Sequence, residues 1–317
     1  MRYPIDMHCH SVRSDGGDTY EELCRVAANS GVRMFAVADH DIVPDLNPDG
    51  MDLFSFGKKF GVRILPAIEL SCDTLVPDVH VVGIGCDFND PAFRQFETQM
   101  IASKIRSYRK IVTLLLEDGM HITWDDVLNQ NGKRIEEQHV QGKHLFNAIA
   151  RCGGAPDWAE AKKMIQTTPR YAAVKREKIA PQYGISLIRK TGGFAILAHP
   201  HLIMRYPRDI KRSAYIEKLI EAGLQGIEGA YPYDKTSYRG SHTPEEVEEM
   251  IRRRFEGRIF ISGGSDYHDD AKFGSRNPRL MGEKGIWPED IRSCEQLYKV
   301  VKKWVPDFDT VFKEEDA

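Results

Sequence analysis

The chain has 317 residues, 41% of them hydrophobic, and its 44 lysines and arginines against 47 aspartates and glutamates give a net charge of −3. This length suits one large α/β domain or two ordinary ones, and the composition excludes a disordered chain. The sequence shows neither a membrane-spanning apolar stretch nor an apolar secretory segment at its start, so we expect a cytoplasmic protein that binds no membrane. The small net charge, without a continuous basic stripe, argues against duplex nucleic acid as a partner.

The cysteines and histidines limit the kinds of site that the chain can form. The six cysteines contain no C-x-x-C pair, which argues against a disulfide framework and a zinc ribbon, and we expect small buried hydrophobic side chains. They are Cys9, Cys24, Cys72, Cys86, Cys152 and Cys294. The eleven histidines are more informative, because six lie where short apolar runs end beside an aspartate, a glutamate or another histidine.

Seven apolar, β-branched runs predict the strands of a parallel sheet or barrel, because most are followed by a segment with helical periodicity. They are Ile5–His8, Met34–Ala38, Arg63–Glu69, Val79–Cys86, Phe194–Ala198, Gly226–Glu228 and Arg258–Ser262. Thr19 with Glu22 predicts a capping box at a helix start, and Thr243-Pro244-Glu245-Glu246 predicts a stronger one because proline occupies the first helical position.

The stretch 98–180 interrupts this alternation and predicts a helical insertion between barrel segments 1–97 and 181–317. Its helical patterns are Ile101–Asp118, Trp124–Asn129, Lys143–Arg151 and Asp157–Thr167, and we expect no strand there. The insertion holds 14 basic and 9 acidic residues, a net charge of +5 that leaves −8 for the rest. This charge indicates either solvated helix faces or a lid that brings cations to an anionic substrate. The acidic end, Glu314-Glu315-Asp316, is expected to fray.

Side chains of metal-ligand type stand at the ends of five of the predicted strands. They are His8 with His10, Asp39-His40-Asp41, Glu69, His199-Pro200-His201, and Asp266 with His268. Two imidazoles at positions i and i+2 point to the same side of an extended chain and suit one metal ion, although such a pair alone can also be ordinary histidines. Because parallel strands of a βα-barrel end on one face, we expect these residues to converge.

His80 differs because it begins its run instead of ending it. The segment Ser71–Asp78 is too short for a crossover helix. A tight antiparallel return would place His80 at the same end of the sheet as Glu69. The sequence therefore predicts a local antiparallel hairpin.

The ordered set of motifs resembles that of the PHP (polymerase and histidinol phosphatase) superfamily, and in particular its stand-alone phosphoesterases of the nucleotide and cyclic-phosphate type. The motifs are His8-x-His10, Ser14-Asp15-Gly16, Asp39-His40-Asp41, Glu69, His80, Ala198-His199-Pro200 and Ser265-Asp266-x-His268, within residues 3–270. The resemblance implies a distorted (β/α)7 barrel with a helical insertion and a trinuclear metal centre. It disfavours the amidohydrolases, whose bridging ligand resembles a modified lysine, since no lysine ends the third run.

The same resemblance implies three divalent metal ions, for which manganese, iron and zinc all suit mixed imidazole and carboxylate ligands. The implied ligand sets are His8, His10, Glu69 and Asp266 for the first ion, Glu69, His80 and His199 for the second, and Asp15, His40 and His268 for the third. Glu69 would bridge the first two. The neighbouring carboxylates Asp6, Asp39 and Asp41 are expected to orient ligand imidazoles.

With a bridging hydroxide, this centre would carry a formal charge of about +2 and attract phosphate. The resemblance then implies in-line attack of that hydroxide on a small phosphorylated substrate, such as a nucleotide mono- or bisphosphate, a 2′,3′-cyclic nucleotide or a ribose cyclic phosphate. Asp266 belongs to the candidate catalytic residues. His201 is a candidate general acid, with an ordinary loop histidine as the alternative.

Candidate substrate contacts come from the insertion. Lys143 and His144 stand where related phosphoesterases carry Gly-Arg-Pro-His, and Lys175 with Arg176 forms a second cationic pair or a merely exposed one. Tyr231, Tyr233 and Tyr238 either pack within their loop or flank a base.

Other functions remain open from the sequence. They are a histidinol-phosphate phosphatase, a short-oligonucleotide exonuclease and a non-catalytic metal-binding PHP module. No obligate protein partner is inferred.

Overall fold

The computed structural model describes residues 2–130, 132–203 and 209–313, so the predicted frayed end at Glu314–Asp316 lies outside the described residues. The strands are β1 (Ile5–Cys9), β2 (Met34–Val37), β3 (Arg63–Cys72), β4 (Val79–Ile84), β5 (Asn129–Gln130), β6 (Lys133–Arg134), β7 (Phe194–Leu197), β8 (Gly226–Ala230) and β9 (Phe260–Gly263). Every predicted strand is present; six of the seven starts agree, and the other bounds differ by one to three residues.

Helices connect these strands along the chain and follow the last of them. They are α1 (Tyr20–Ser30), α2 (Leu53–Lys58), α3 (Pro91–Glu117), α4 (Trp124–Leu128), α5 (Gly142–Arg151), α6 (Trp158–Thr167), α7 (Pro169–Ala172), α8 (Pro181–Lys190), α9 (Asp209–Glu221), α10 (Pro244–Phe255), α11 (Pro288–Ser293), α12 (Glu295–Trp304) and α13 (Phe308–Val311). Short 3₁₀ turns lie at Pro48–Gly50, Glu137–His139, Pro200–Leu202 and Tyr233–Lys235. Among the described helices, none combines the length and the apolarity that a membrane crossing requires.

Seven strands form one sheet in the order β1-β2-β3-β4-β7-β8-β9. Neighbouring strands are parallel, except that β4 runs antiparallel to both β3 and β7. The two outer strands approach each other, since Cys9 at the end of β1 pairs with Tyr267 beyond β9 and the His10 N–H donates to the Tyr267 carbonyl at 2.8 Å. The sheet is therefore nearly closed, and the predicted distorted (β/α)7 barrel is confirmed.

The hairpin of β3 and β4 confirms the antiparallel return predicted from the short segment Ser71–Asp78. Its register pairs Ser71 with His80 and Glu69 with Val82. The start of β4 thus lies beside the end of β3, and His80 reaches the end of the sheet that carries Glu69.

Both faces of most strands in the seven-stranded sheet are buried, which explains why their sequences are nearly continuous apolar runs. In β2, Met34 and Ala36 contribute to one hydrophobic cluster, whereas Phe35 and Val37 contribute to a second cluster that includes residues of α1 and α2. This alternation follows from the two-residue period of a strand. Apolar side chains therefore fill the barrel, and its polar side chains lie at the ends of the strands.

The predicted helix starts are also present. Thr19 caps α1 and Thr243 caps α10, each in a capping box with the glutamate three residues later. These reciprocal hydrogen bonds provide partners for backbone N–H groups that have none within the first turn of the helix.

The chain forms two compact units, Met1–Arg94 with Ile179–Ala317, and Gln95–Lys178. The second unit has its own hydrophobic cluster, in which Leu115, Leu145 and Ile149 are fully buried. The expectation that residues 98–180 contain no strand is wrong, because β5 and β6 form a short antiparallel hairpin there. Strands of two polar residues show no hydrophobic alternation, so the sequence pattern gave no sign of them.

Candidate metal centre

The centre is built around Glu69, which lies in β3 and is fully buried. Its two carboxylate oxygens lie 2.9 to 3.3 Å from ring nitrogens of five histidines, namely His8, His10, His40, His80 and His199. Those histidines come from β1 and the residue after it, from the segment after β2, from the start of β4 and from the segment after β7. The barrel therefore brings four other chain segments to the carboxylate on β3.

A second group surrounds Asp15, in the loop that follows β1. An oxygen of Asp15 lies 3.2 Å from His268 Nε2 and 3.7 Å from His10 Nδ1, and the other oxygen lies 3.8 Å from His40 Nε2. The Asp15 side chain is 50% exposed. The centre is thus open to solvent on this side.

Asp266, just beyond β9, joins the two groups. Its Oδ1 lies 3.0 Å from His10 Nε2 and 3.4 Å from His268 Nδ1. Its Oδ2 accepts hydrogen bonds from the Tyr231 hydroxyl at 2.7 Å and from Arg279 Nη1 at 2.5 Å. One oxygen of Asp266 faces the imidazoles, and the other faces Tyr231 and Arg279.

Within the described residues, three sets place their ligand atoms within 4.8 Å of one another. They are His10 with Asp15, His40 and His268; His8 with His10 and Glu69; and His40 with Glu69 and His80. His10, His40 and Glu69 each belong to two sets. All nine residues expected to bind metal thus lie in one cluster, while their division among individual ions stays a prediction.

The polar atoms of this cluster are better placed to bind a divalent cation than to form hydrogen bonds with one another. Glu69 Oε2, His40 Nδ1 and His199 Nδ1 are buried without a hydrogen-bond partner, although Glu69 Oε2 and His40 Nδ1 lie only 3.0 Å apart. Buried polar atoms without partners are rare. Separations of about 3.0 to 3.5 Å are those expected between ligands that each bind one metal ion at about 2.0 to 2.2 Å.

The electrostatics differ among the ligands. Glu69 and His80 are held in the protonation states that bind metal ions, whereas nearby carboxylates outweigh burial and raise the pKa of His8, of His10 (to about 10) and of His199, whose protons a metal ion would have to displace. Burial acts to raise the pKa of the Glu69 carboxyl, but the nearby imidazoles of His40 and His8 outweigh it and hold that pKa well below its usual range. Burial lowers the pKa of His80 to about 4 despite the nearby Glu69 carboxylate. An anionic carboxylate and a neutral imidazole are the forms that bind metal ions.

Three curated proteins are similar to this chain over most of their length. The phosphoribosyl 1,2-cyclic phosphate 1,2-diphosphodiesterase of Eggerthella lenta is 25% identical over 285 residues, which cover 85% of this chain and 95% of that protein. The 3′,5′-nucleoside bisphosphate phosphatase of Chromobacterium violaceum is 27% identical over 270 residues (83% and 87%). The 5′-3′ exoribonuclease Rnm of Salmonella typhimurium is 23% identical over 286 residues (89% and 92%). All three names denote enzymes that cleave phosphate esters.

The chain is a phosphoesterase. A solved structure from Bifidobacterium adolescentis, assigned as a metal-dependent phosphoesterase, shares its fold with a TM-score of 0.70 and 24% identity, covering 91% of this chain and 94% of that one. No family model matches the chain.

The backbone of the phosphoesterase turns sharply where two of these side chains enter the centre. His199 and Asp266 have φ values of 28° and 50°, in the left-handed region that residues other than glycine rarely adopt. Gly264 allows a close approach, since a Cβ there would lie 2.5 Å from His8 Cβ. Such strained conformations persist only where the surrounding contacts hold them.

The expected role of the neighbouring aspartates needs correction. Asp6 accepts hydrogen bonds from the Ser265 N–H at 2.9 Å and the Ser265 hydroxyl at 2.5 Å. Asp39 binds Ser11 in the same way, at 2.9 and 2.6 Å. These bonds of Asp6 and Asp39 hold the backbone of the loops that present the ligands, and not the imidazole rings. Asp41 accepts from the Ser71 N–H at 2.8 Å, and its role in orienting an imidazole stays a prediction.

Glu228, at the end of the sixth predicted strand, takes the expected imidazole-orienting role. It is buried, with Oε1 3.2 Å from His8 Nδ1 and Oε2 accepting from the His199 N–H at 2.7 Å. The same strand-end rule that found Glu69 could have found Glu228. Arg279 was also missed, and its loop carries no pattern that would have revealed it.

The remaining predicted site residues have local contacts of their own. His201 Nδ1 lies 3.1 Å from Arg212 Nη1, and its ring packs against Tyr233. Its role as general acid stays a prediction. Tyr231 and Tyr233 are each 1% exposed, with ring centroids 4.8 Å apart, which favours packing within the loop over base stacking. Tyr233 also contacts the partly buried Tyr238.

The four predicted substrate contacts lie in the unit Gln95–Lys178. Lys143 is in the first turn of α5, where His144 Nδ1 accepts a hydrogen bond from the Gln141 N–H at 2.9 Å. Lys175 is exposed and Arg176 is half-buried. Their role in substrate binding stays a prediction.

Proposed function

We propose that this phosphoesterase hydrolyses small phosphorylated substrates with a centre of three divalent metal ions, drawn from manganese, iron and zinc. The observation that carries the proposal is the fully buried Glu69 carboxylate with five histidine ring nitrogens within 3.3 Å. A carboxylate among neutral imidazoles is a ligand set typical of such metals.

The proposed ligand sets follow the family resemblance. They are His8, His10, Glu69 and Asp266; Glu69, His80 and His199; and Asp15, His40 and His268. Contacts of Glu69 with both His80 and His199, and of Asp15 with His268, support this division. The additional proximity of His10 to Asp15 and of His40 to Glu69 is compatible with ions that share a crowded centre.

Divalent ions bound there would compensate the negative charge of a phosphate and lower the pKa of a coordinated water towards neutrality. The chain's own residues arrange these ligands. Glu228 fixes the His8 ring, and the Asp6 and Asp39 carboxylates fix the loops that carry Asp266 and Asp15. The half-exposed Asp15 marks the side from which a phosphate would enter.

The insertion is proposed to supply cations to the substrate. Its net charge of +5 contrasts with −8 for the rest of the chain. Lys143, His144, Lys175 and Arg176 are the proposed contacts, and His201 is the proposed general acid. A cytoplasmic location, the lack of an obligate protein partner and the exclusion of duplex nucleic acid remain expectations from the sequence.

The substrate class includes nucleotide monophosphates and bisphosphates and cyclic phosphodiesters. The similarity to a cyclic-phosphate diphosphodiesterase and to a nucleoside bisphosphate phosphatase supports this range. A second candidate is 5′-3′ hydrolysis of short RNA, because the chain is also similar to 5′-3′ exoribonucleases. Both candidates use the same chemistry on phosphate esters.

A substrate panel with added Mn²⁺ tests the proposal. It contains AMP, 3′,5′-bisphosphates, 2′,3′-cyclic nucleotides, a ribose cyclic phosphate and oligoribonucleotides of two to ten residues, with released phosphate and mononucleotide measured. We expect turnover of at least one small ester. Turnover that rises with oligonucleotide length would favour the exoribonuclease. A protein that binds its metals but cleaves none of these esters refutes the proposal and favours a non-catalytic metal-binding module.

A further inference from the structure

The two oxygens of the Asp266 carboxylate have different neighbours. Oδ1 lies 3.0 Å from His10 Nε2, inside the cluster of imidazoles. Oδ2 accepts the Tyr231 hydroxyl at 2.7 Å and Arg279 Nη1 at 2.5 Å. With two donors on it, Oδ2 is already occupied, and only Oδ1 is directed at the centre.

Arg279 is itself fixed by its own loop. Its Nε and Nη2 donate to the two oxygens of Asp270 at 2.7 and 2.8 Å, and its backbone N–H donates to Asp270 at 3.1 Å. The side chain is 14% exposed. Since Nε, Nη1 and Nη2 all have partners, the guanidinium forms a rigid bridge from Asp270 to Asp266.

This bridge restricts the rotation of the Asp266 carboxylate. The terminal torsion of an aspartate side chain is broad, so a free carboxylate rotates easily and can offer either oxygen or both to a metal ion. The Asp266 backbone is also in the left-handed region, with φ of 50°, which requires support from its surroundings. Arg279 and Tyr231 bond the same oxygen and remove that rotation.

We propose that Arg279 and Tyr231 are positioning residues that make Asp266 a one-oxygen metal ligand, with Arg279 joining this ligand to the loop at Asp270. The inference rests on the metal-binding centre proposed above. Lysine should replace Arg279 only in part, because its ammonium group lacks the fixed fork with which the guanidinium binds two carboxylates. Loss of a residue that orients a ligand typically weakens metal binding by about 10- to 100-fold.

The test compares Mn²⁺ binding and thermal stability in four variants. Arg279→Met, Arg279→Lys and Tyr231→Phe address the bridge. Arg63→Met is the matched control, because Arg63 is 8% exposed and forms the same kind of bidentate pair with Asp307. It lies six residues before Glu69, about 20 Å away along β3.

We expect Arg279→Met to raise the Kd of one Mn²⁺ by about 10- to 100-fold. Arg279→Lys should be intermediate, and Tyr231→Phe should have the smallest effect because it removes a neutral hydrogen bond only. The control Arg63→Met should lower the Tm of the metal-free protein while leaving the Kd unchanged. If Arg279→Met does not fold, the Lys and Phe variants decide the question.

Unchanged Mn²⁺ affinity in folded Arg279 and Tyr231 variants would overturn the inference and leave the proposed function intact. An equal loss of affinity in Arg63→Met would overturn it too, because the effect would then be one of general stability. A wild-type protein that binds no divalent ion would overturn both the proposed function and this inference.

Discussion

Replacing Glu228 with glutamine should disturb two metal ligands at once. Glu228 lies with Oε1 3.2 Å from His8 Nδ1 and with Oε2 accepting from the His199 N–H at 2.7 Å. A carboxylate only accepts, so His8 must carry its proton on Nδ1. His8 Nε2, which lies 3.3 Å from Glu69 Oε2, is then left with a lone pair for a metal ion.

Glutamine keeps the size of the side chain but has one acceptor and one donor at its end. If its oxygen retains the His199 N–H, its amide group faces His8 Nδ1 and favours the tautomer with the proton on Nε2. That proton would occupy the metal-binding lone pair. Loss of a hydrogen bond to a charged group costs about 1.5–3 kcal/mol of free energy. This cost corresponds to roughly 10- to 150-fold weaker Mn²⁺ binding.

Calorimetric titration of the metal-free protein with Mn²⁺ measures this effect. Glu283→Gln is a suitable control, because Glu283 also accepts from a backbone N–H, that of Leu280 at 2.8 Å, while pairing with Lys235. The control should bind Mn²⁺ as the wild type does. A Glu228→Gln protein with wild-type affinity would refute the reasoning about the His8 tautomer.

Two further predictions concern metal removal and pH. Chelation with EDTA should abolish turnover and lower the Tm, because a ligand that binds only the folded chain stabilises it by about 2.7 kcal/mol at 100 times its Kd. Added Mn²⁺ should restore both the turnover and the Tm. Turnover that persists in EDTA would contradict a metal-dependent reaction. Burial, with Lys143 and Lys104 nearby, lowers the pKa of His144 to about 4. His144 is therefore protonated at a higher pH in the unfolded chain than in the folded one. The free energy of unfolding should fall by about 1–2 kcal/mol, with screening by solvent taken into account, as the pH drops from 6.5 to 4. His144→Asn should reduce this slope in pH-dependent urea unfolding, and an unchanged slope would argue against a neutral His144.

The sequence predicted the parts of the centre that depend on strand ends. Alternation of strand and helix patterns placed His8, His40 and His199 on one face of the barrel, because parallel strands share their direction. The short segment before His80 predicted an antiparallel hairpin from chain length alone, and β4 confirms it. These inferences succeed because they use local patterns and the geometry of one architecture.

Contacts between distant segments were not predictable in this way. Asp6 and Asp39 precede histidines in the sequence, which suggested imidazole contacts, yet their side chains bind Ser265 and Ser11 on neighbouring segments. Which carboxylate reaches His8 depends on the register of β8 against the other strands. Arg279 reaches Asp266 through the course of an irregular loop, for which periodicity carries no information.

The antiparallel β4 also has a consequence for how the barrel folds. The hairpin brings Glu69 and His80 together across a short loop, with a distance of 2.9 Å between Glu69 Oε1 and His80 Nδ1. Other contacts of the centre join residues far apart in the chain, such as His199 with Glu69 and His10 with Asp266. Closing long loops costs more entropy and slows folding. Glu69 and His80 can thus come together locally, whereas the complete set of ligands exists only after the last strands have joined the first. The capacity to bind the metal ions therefore reports closure of the whole barrel.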